Sequence, residues 1–367
     1  MQDDFEFSIR ESTLEKMLTL KREMGFAEKG WDEWFDYMLS SISNKKTERS
    51  ELENIMEKVY HDQFYESWVK NFSLNLNSIW NELSAKELDP INDPTYKTQE
   101  HSVIVIGRGP SVKKYKHLEL LANSNYKGAI VCCDGALIDA LKTGVTPEKF
   151  PKYYVVTIDG AEIIKKYYDD KIVDKYGKGI NGIFSTVTHP LAVVHARQAG
   201  IKIHWLHALF DYNEGKKSFN QISALMVKAR NHPRGLPAIQ TGGNVGTASW
   251  FISWQILKCS VVGLIGINHS WDEDDPWELI ISHCKVPENI DKNSPTFKKL
   301  FPNIYNPEFN CNCILDPLFL YYSNAFKEFI SRSPSWVTTI NATEGGCIFG
   351  ERIQCMTLEA FLKKYKK

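Results

Sequence analysis

Four short segments of this chain combine glycine with residues able to hold or transfer phosphate-like groups. Gly107-Arg108-Gly109-Pro110-Ser111 directly follows the apolar run Val103 to Ile106. Glycines let backbone amides approach an anion closely, Arg108 adds a cation, and Ser111 is expected to cap a following helix whose N-terminus favours negative charge. Replacing Gly109 by a β-branched residue is expected to abolish phosphate approach while leaving the fold intact. The loop is neither the dinucleotide fingerprint, since Val112 stands at the third glycine, nor a Walker A loop, since no Gly-Lys-Ser/Thr follows.

Asp134-Gly135 and Asp159-Gly160 each follow a further apolar run, 129–132 and 153–157. Carboxylates at adjacent strand tips can accept ribose hydroxyls or hold a Mg²⁺ that bridges phosphate oxygens, which makes Asp134 and Asp159 the candidate metal ligands. Thr241-Gly242-Gly243-Asn244 opens an apolar stretch with Gly246 and Thr247, and reads as a second anion site at a helix start. After the run 261–265 the chain continues Gly266-Ile267-Asn268-His269, placing Asn268 and His269 where a site residue would stand. His189, His204 and His207 are weaker acid-base candidates, since an isolated histidine is more often a satisfied core or loop residue. The acidic run Asp272 to Asp275 ranks third for metal, and Trp277 at the glycine position excludes an EF-hand loop.

These residues need a frame. The runs at 103–106, 129–132, 153–157, 182–185, 201–204 and 261–265 are short, β-rich and apolar throughout, separated mostly by helix-length segments. Such strands are buried on both faces, which predicts an α/β fold: a doubly wound, mostly parallel, Rossmann-like sheet with ligands at its carboxyl edge. Before it, capping boxes at Ser12 and Ser50 and an apolar stripe through Phe64, Trp68, Phe72, Leu76 and Trp80 predict a helical N-terminal region that covers the sheet and carries no catalytic residue. Two prolines between 88 and 94 suggest a junction. The expected divisions are 1–96 (helical), 97–286 (nucleotide-binding and catalytic) and 287–367 (an α+β extension with a helix at 318–330 and a strand at 337–340).

Composition bounds the reading. Among 367 residues, 44 Lys+Arg oppose 45 Asp+Glu, a formal charge of -1, so no general field draws in nucleic acid. No apolar run reaches a membrane span, and the acidic start lacks a signal-peptide pattern, so the expected compartment is the cytoplasm. The eight cysteines include no C-x-x-C and are read as free thiols. Assembly as a homo-oligomer stays open.

Taken in order, the G-x-G-P-S loop, the two acid-glycine tips, the Thr-Gly-Gly-Asn-Val helix start and the Ile-Gly-x-Asn strand end resemble the family of the archaeal 6-hydroxymethyl-dihydropterin pyrophosphokinase, which includes the motility accessory factors thought to transfer nonulosonic acids to flagellin. Phe64-Tyr-Glu-Ser-Trp-Val-Lys-Asn71-Phe-x-x-Asn75 before this core and Asn341-Ala-Thr-Glu-Gly-Gly346 after it resemble the accessory-factor architecture. The resemblance implies a nucleotide-dependent transferase in which ATP·Mg²⁺ lies along 107–111 and 242–246 and diphosphate passes to a hydroxymethylpterin-like acceptor. Its alternatives are a glycosyltransferase using a CMP-activated nonulosonic acid, and a nucleotide-binding module without catalysis. Asp159, Asn268 and His269 are the expected catalytic positions. Where members usually show Asp, Asn268 departs from the pattern by removing a carboxylate.

Overall fold

The computed structural model describes residues 64–90, 101–209, 219–228, 235–283 and 293–365, with a few positions between 15 and 33. The capping boxes at Ser12 and Ser50 lie outside them. The chain divides into two units, 1–62 and 63–367. In the first, the Lys21 ammonium lies 5.3 Å from the centroid of the Trp31 ring.

The second unit is built on a ten-stranded sheet. Its strands are β1 (Leu83–Ser84), β2 (Ser102–Ile106), β3 (Ala129–Cys133), β4 (Tyr153–Thr157), β5 (Asn181–Ser185), β6 (Lys202–Leu209), β7 (Ala238–Gln240) and β8 (Val261–Ile265). After a small antiparallel sheet of β9 (Trp271–Asp272), β10 (Asn303–Asn306) and β11 (Cys311–Ile314), the main sheet gains β12 (Thr338–Asn341) and β13 (Ile353–Cys355). The main order is β1-β6-β5-β4-β3-β2-β8-β12-β13, with β7 beside β6, and every pairing in it is parallel. The expected doubly wound α/β sheet is therefore what forms.

Alternation along the strands shows why both faces are apolar. Ile104 and Ile106 join one buried cluster with Phe72, Leu137 and Phe361, while Val103 and Val105 join the other with Trp250 and Phe326. Helices thus cover both faces. The expected helix at 318–330 is observed as Pro317–Ser331, started by Asp316, whose side chain accepts the Phe319 N–H at 2.8 Å. All seven described cysteines are free. Among the described residues, no helix is long and apolar enough to cross a membrane.

Two boundaries differ from the sequence divisions. The helix α1 (Glu66–Asn81) and the strand β1 belong to the unit of the sheet, and so do β12 and β13 from the C-terminal segment. The stretch before the two prolines is joined to the sheet by backbone pairing, β1 beside β6. The four-residue stripe is also only partly buried: Phe72 is inside, Phe64 and Trp68 are half-buried, and Trp80 is 45% exposed. A spacing of four drifts about 40° per step against a 3.6-residue helix, so the stripe turns away from the sheet. Asn71, Phe72, Asn75 and Ile79 make up the buried face instead.

Candidate functional site

β3 to β6 lie on one side of β2 and β8, β12 and β13 on the other, so the strand order reverses between β2 and β8. In an open α/β sheet that reversal leaves a crevice beyond the carboxyl ends of the strands. Both loops at the reversal were expected to serve the site.

The loop after β2 is locked to the loop after β8. Gly107 N–H donates to Ile265 O at 2.8 Å and Gly109 N–H to Gly266 O at 2.9 Å, so two amides expected to cradle phosphate are already used. A Cβ at Gly109 would fall 2.7 Å from Gly266 O and closer still to Asn268 Oδ1. The glycine is required here by loop-on-loop packing, so a β-branched residue at 109 would disturb the fold as well as any ligand. Ser111 does not cap a helix: Pro110 occupies the cap position, the helix Ser111–Lys114 is a single turn, and Ser111 Oγ donates to Asn268 Oδ1 at 2.9 Å. What the loop leaves for a ligand is the exposed Arg108 side chain and the amides of Arg108 and Ser111.

The loop after β12 completes this junction. Thr343 Oγ1 accepts Ile267 N–H at 3.4 Å, Cys347 N–H donates to Asn268 O at 3.0 Å, and Gly346, at φ 76°, packs on the Asn268 backbone. Glu344 meets His117 Nε2 at 3.2 Å and accepts Leu358 N–H at 3.0 Å. Asn268 is therefore a buried clasp joining three loops. His269, in a left-handed conformation at φ 45°, has its ring among Phe319, Tyr322 and Phe326. Burial, with a smaller push from the Lys327 charge, lowers its pKa to about 3. A neutral ring enclosed by aromatics suits packing better than the acid-base role expected of it.

The second glycine segment comes to the same place. Ideal Cβ positions at Gly107 and Gly246 would both meet Ile267 Cδ1, at 2.5 and 2.8 Å, so the two loops are neighbours. Gly242 and Gly243 have φ of 54° and 80° and turn the chain into the helix Val245–Gln255. Asn244 caps it: Oδ1 accepts Thr247 N–H at 2.9 Å, while Nδ2 donates to Gly242 O and Thr247 Oγ1. Thr241 Oγ1 accepts Gly243 N–H at 3.3 Å. These side chains shape the helix start rather than point at a ligand. The amides of the first helical turn are the groups they present to one.

The tips of β3 and β4 are different. Asp134 is buried, and burial pushes its carboxyl up to about 7, reinforced by the nearby Asp159 and opposed by hydrogen bonds from Gly135 N–H and Thr157 and by the Arg108 charge. Arg108 lies across Gly135, where a Cβ would fall 2.7 Å from its Cδ, and hydrogen-bonds Tyr167 Oη. Asp159 is exposed and accepts the Ala161 N–H at 2.9 Å. Asp134 and Asp159 thus stand at neighbouring strand tips and offer carboxylate oxygens, the donor type a hard divalent cation takes. Among the described residues, no group of three or more His, Cys, Asp or Glu could hold an ion alone.

The covering helix contributes more than apolar contact. Asn71 Nδ2 donates to Gly160 O at 2.9 Å and Val187 O at 3.0 Å, and Asn75 Nδ2 to Thr186 O at 3.2 Å and Thr188 O at 2.8 Å. Trp68 packs on Gly160. Sequence reasoning missed these roles, although two asparagines four apart on an apolar helix face were the signal: such amides are buried only with partners.

The other candidates are structural in their surroundings. His207 is buried between Thr186 Oγ1 at 2.9 Å and Ser223 Oγ at 3.0 Å, His204 meets Lys202 O, and His189 caps the helix Pro190–Gln198. In the acidic run, Asp272 pairs with Lys114 at 2.8 Å and Asp275 accepts Asp272 N–H.

Residues 70–274, more than half of the chain, match the family model described as 6-hydroxymethylpterin diphosphokinase MptE-like, and the chain belongs to that family. This places it among transferase-like proteins. The solved structure of a MAf glycosyltransferase from Magnetospirillum magneticum AMB-1 is similar over 77% of this chain, at 14% identity and a TM-score of 0.48. The chain spans only 40% of that protein's length. No curated protein matches.

Proposed function

We propose that this protein is a nucleotide-dependent transferase that passes diphosphate from ATP to the hydroxymethyl group of a pterin-like acceptor. The family description supports the reaction class, and the pairing of Asp134 with Asp159 beside Arg108 is the observation that carries the choice of ATP. Phosphoryl-type transfer needs positioning and charge neutralisation more than covalent help. Asp134 and Asp159 would hold Mg²⁺, which supplies neutralisation of phosphate charge. Arg108, fixed by Tyr167, would add a cation at the same strand tips, and the helix start at Val245 would offer its first-turn amides. Asn268, a neutral clasp, holds the loops in register without taking part as a base.

AMP release from ATP·Mg²⁺, measured with and without 6-hydroxymethyl-7,8-dihydropterin, tests the reading. The expected result is one AMP per acceptor consumed. Release of CMP from a CMP-activated nonulosonic acid, with no AMP from ATP, would replace it with the glycosyltransferase, and nucleotide binding without turnover would leave a binding module.

A further inference from the structure

A histidine and a buried carboxylate outside the segments considered so far form a pair suited to proton transfer. Asp316 is fully buried at the start of the helix Pro317–Ser331. Its Oδ1 accepts Phe319 N–H at 2.8 Å, while Oδ2 accepts Trp271 Nε1–H at 2.8 Å and lies 2.6 Å from His283 Nδ1. The imidazole is stacked on Phe319 at 4.7 Å between centroids and set edge-on to Trp271 at 5.4 Å. Its side chain keeps 35% exposure against 0% for its partner.

Each restraint acts on the same choice. A buried acceptor-only carboxylate requires a proton on Nδ1, and two aromatic rings restrain the plane, so in the neutral ring Nε2 is the accepting nitrogen and is directed away from Asp316. A base oriented by a third group in this way is the recurring arrangement of nucleophile activation. Its place in the fold is also favourable. Trp271 directly follows the loop 266–270, the neighbouring Asp272 is bound to Lys114 of the turn after Ser111, and the Phe319 ring lies between His283 and His269. The pair is therefore tied to the chain that leaves β8 and, through Asp272 and Lys114, to the turn that follows β2.

We infer that His283, oriented by Asp316, is the general base that receives the acceptor hydroxyl proton, an inference that rests on the transfer reading above. As the acceptor oxygen bonds to the β-phosphorus, the bond from that phosphorus to the α–β bridging oxygen breaks. The electron pair leaves with AMP. The hydroxyl proton goes to His283 Nε2 and from there to solvent, regenerating the neutral ring. Asp316 is a positioning residue, acting through His283.

The test uses the full chain with ATP·Mg²⁺ and 6-hydroxymethyl-7,8-dihydropterin. In His283→Gln, ATP affinity by calorimetry is expected within twofold of the unsubstituted protein and the acceptor KM within a few-fold, with kcat down about 10²- to 10⁴-fold, the usual contribution of a positioned base. A kcat within threefold overturns the assignment. Asp316→Asn, which can disturb the helix cap, is read by ¹⁵N-histidine NMR beside the unsubstituted protein: His283 carries its proton on Nδ1 when Asp316 is present and loses that preference in the variant. A proton on Nε2 in the unsubstituted protein overturns the inference. If that protein binds ATP but releases no AMP, the transfer reading fails, and the tautomer alone then decides for or against an Asp316-oriented base.

Discussion

Two groups of strand tips in this molecule look alike in sequence and differ in chemistry. At β2, β8 and β12 the glycine-rich loops are fastened to one another. Gly109 N–H binds Gly266 O, Ser111 binds Asn268, and Asn268 O takes Cys347 N–H. At β3 and β4, a buried carboxyl raised to about 7 stands beside an exposed one, under an arginine held by a tyrosine. The first group is saturated by its own backbone and builds the crevice. The second is held together by fewer bonds from its own backbone and carries the ionisable groups. A glycine motif therefore marks close approach, and whether the neighbour is a phosphate or another loop is a separate question.

The largest expected effect tests the saturated side. Gly109→Val places atoms against Gly266 O and the Asn268 amide, and overpacking of this kind costs about 1–3 kcal/mol or more. Chemical denaturation should show a strongly destabilised or unfolded protein. A variant of full stability that lost only ATP binding would instead make the loop a phosphate cradle and erase the contrast.

Asp134→Asn tests the other side through pH. The folded carboxyl is raised from the ordinary 3.8 to about 7. Its contribution to stability is therefore present below the unfolded value and lost as pH rises through 7. Relative to the Asn variant, the unsubstituted protein should lose up to about 4 kcal/mol between pH 4 and 8 in the absence of ligand. Melting curves of both proteins across that range check it, and parallel profiles would show that Asp134 carries no such strain. Adding Mg²⁺ with ATP at pH 8 should recover part of the loss in the unsubstituted protein only.

Asn71→Ala leaves Gly160 O and Val187 O without their donor in a buried setting, at about 1–3 kcal/mol. Hydrogen exchange should rise at the β4 and β5 tips and stay unchanged at 107–111, since the Asn71 bonds end on the first set. Equal loosening of both would merge the two regions. Lys114→Ala, which removes an exposed ion pair with Asp272, should cost under about 1 kcal/mol by the same denaturation measurement.

Particular residues show how far the chain could be read unaided. The strands Tyr153–Thr157 and Val261–Ile265 have the bounds of their apolar runs, because strands buried on both faces must be apolar throughout. Edge strands such as β1, with two residues, and β13, with three, left no such trace, since pairing with one neighbour needs backbone only. Asp134 and Asp159 were legible as strand-tip acids. The raised carboxyl of Asp134 was not, because it comes from burial in the packed sheet, which outweighs the hydrogen bonds from Gly135 and Thr157 and the Arg108 charge.

By itself, the sequence determined the local patterns: strands apolar throughout, a helix start at Asn244, a helix over 318–330, and glycines where the backbone is crowded. These are local properties, set by side-chain volume, backbone freedom and capping within a few residues. Tertiary structure alone decided which partner satisfied each polar group. It gave Ser111 to Asn268 across 157 positions, Asn71 to Gly160 and His283 to Asp316. Buried donors and acceptors must pair, but many pairings satisfy that demand, and only the packed sheet brings one set within 3 Å.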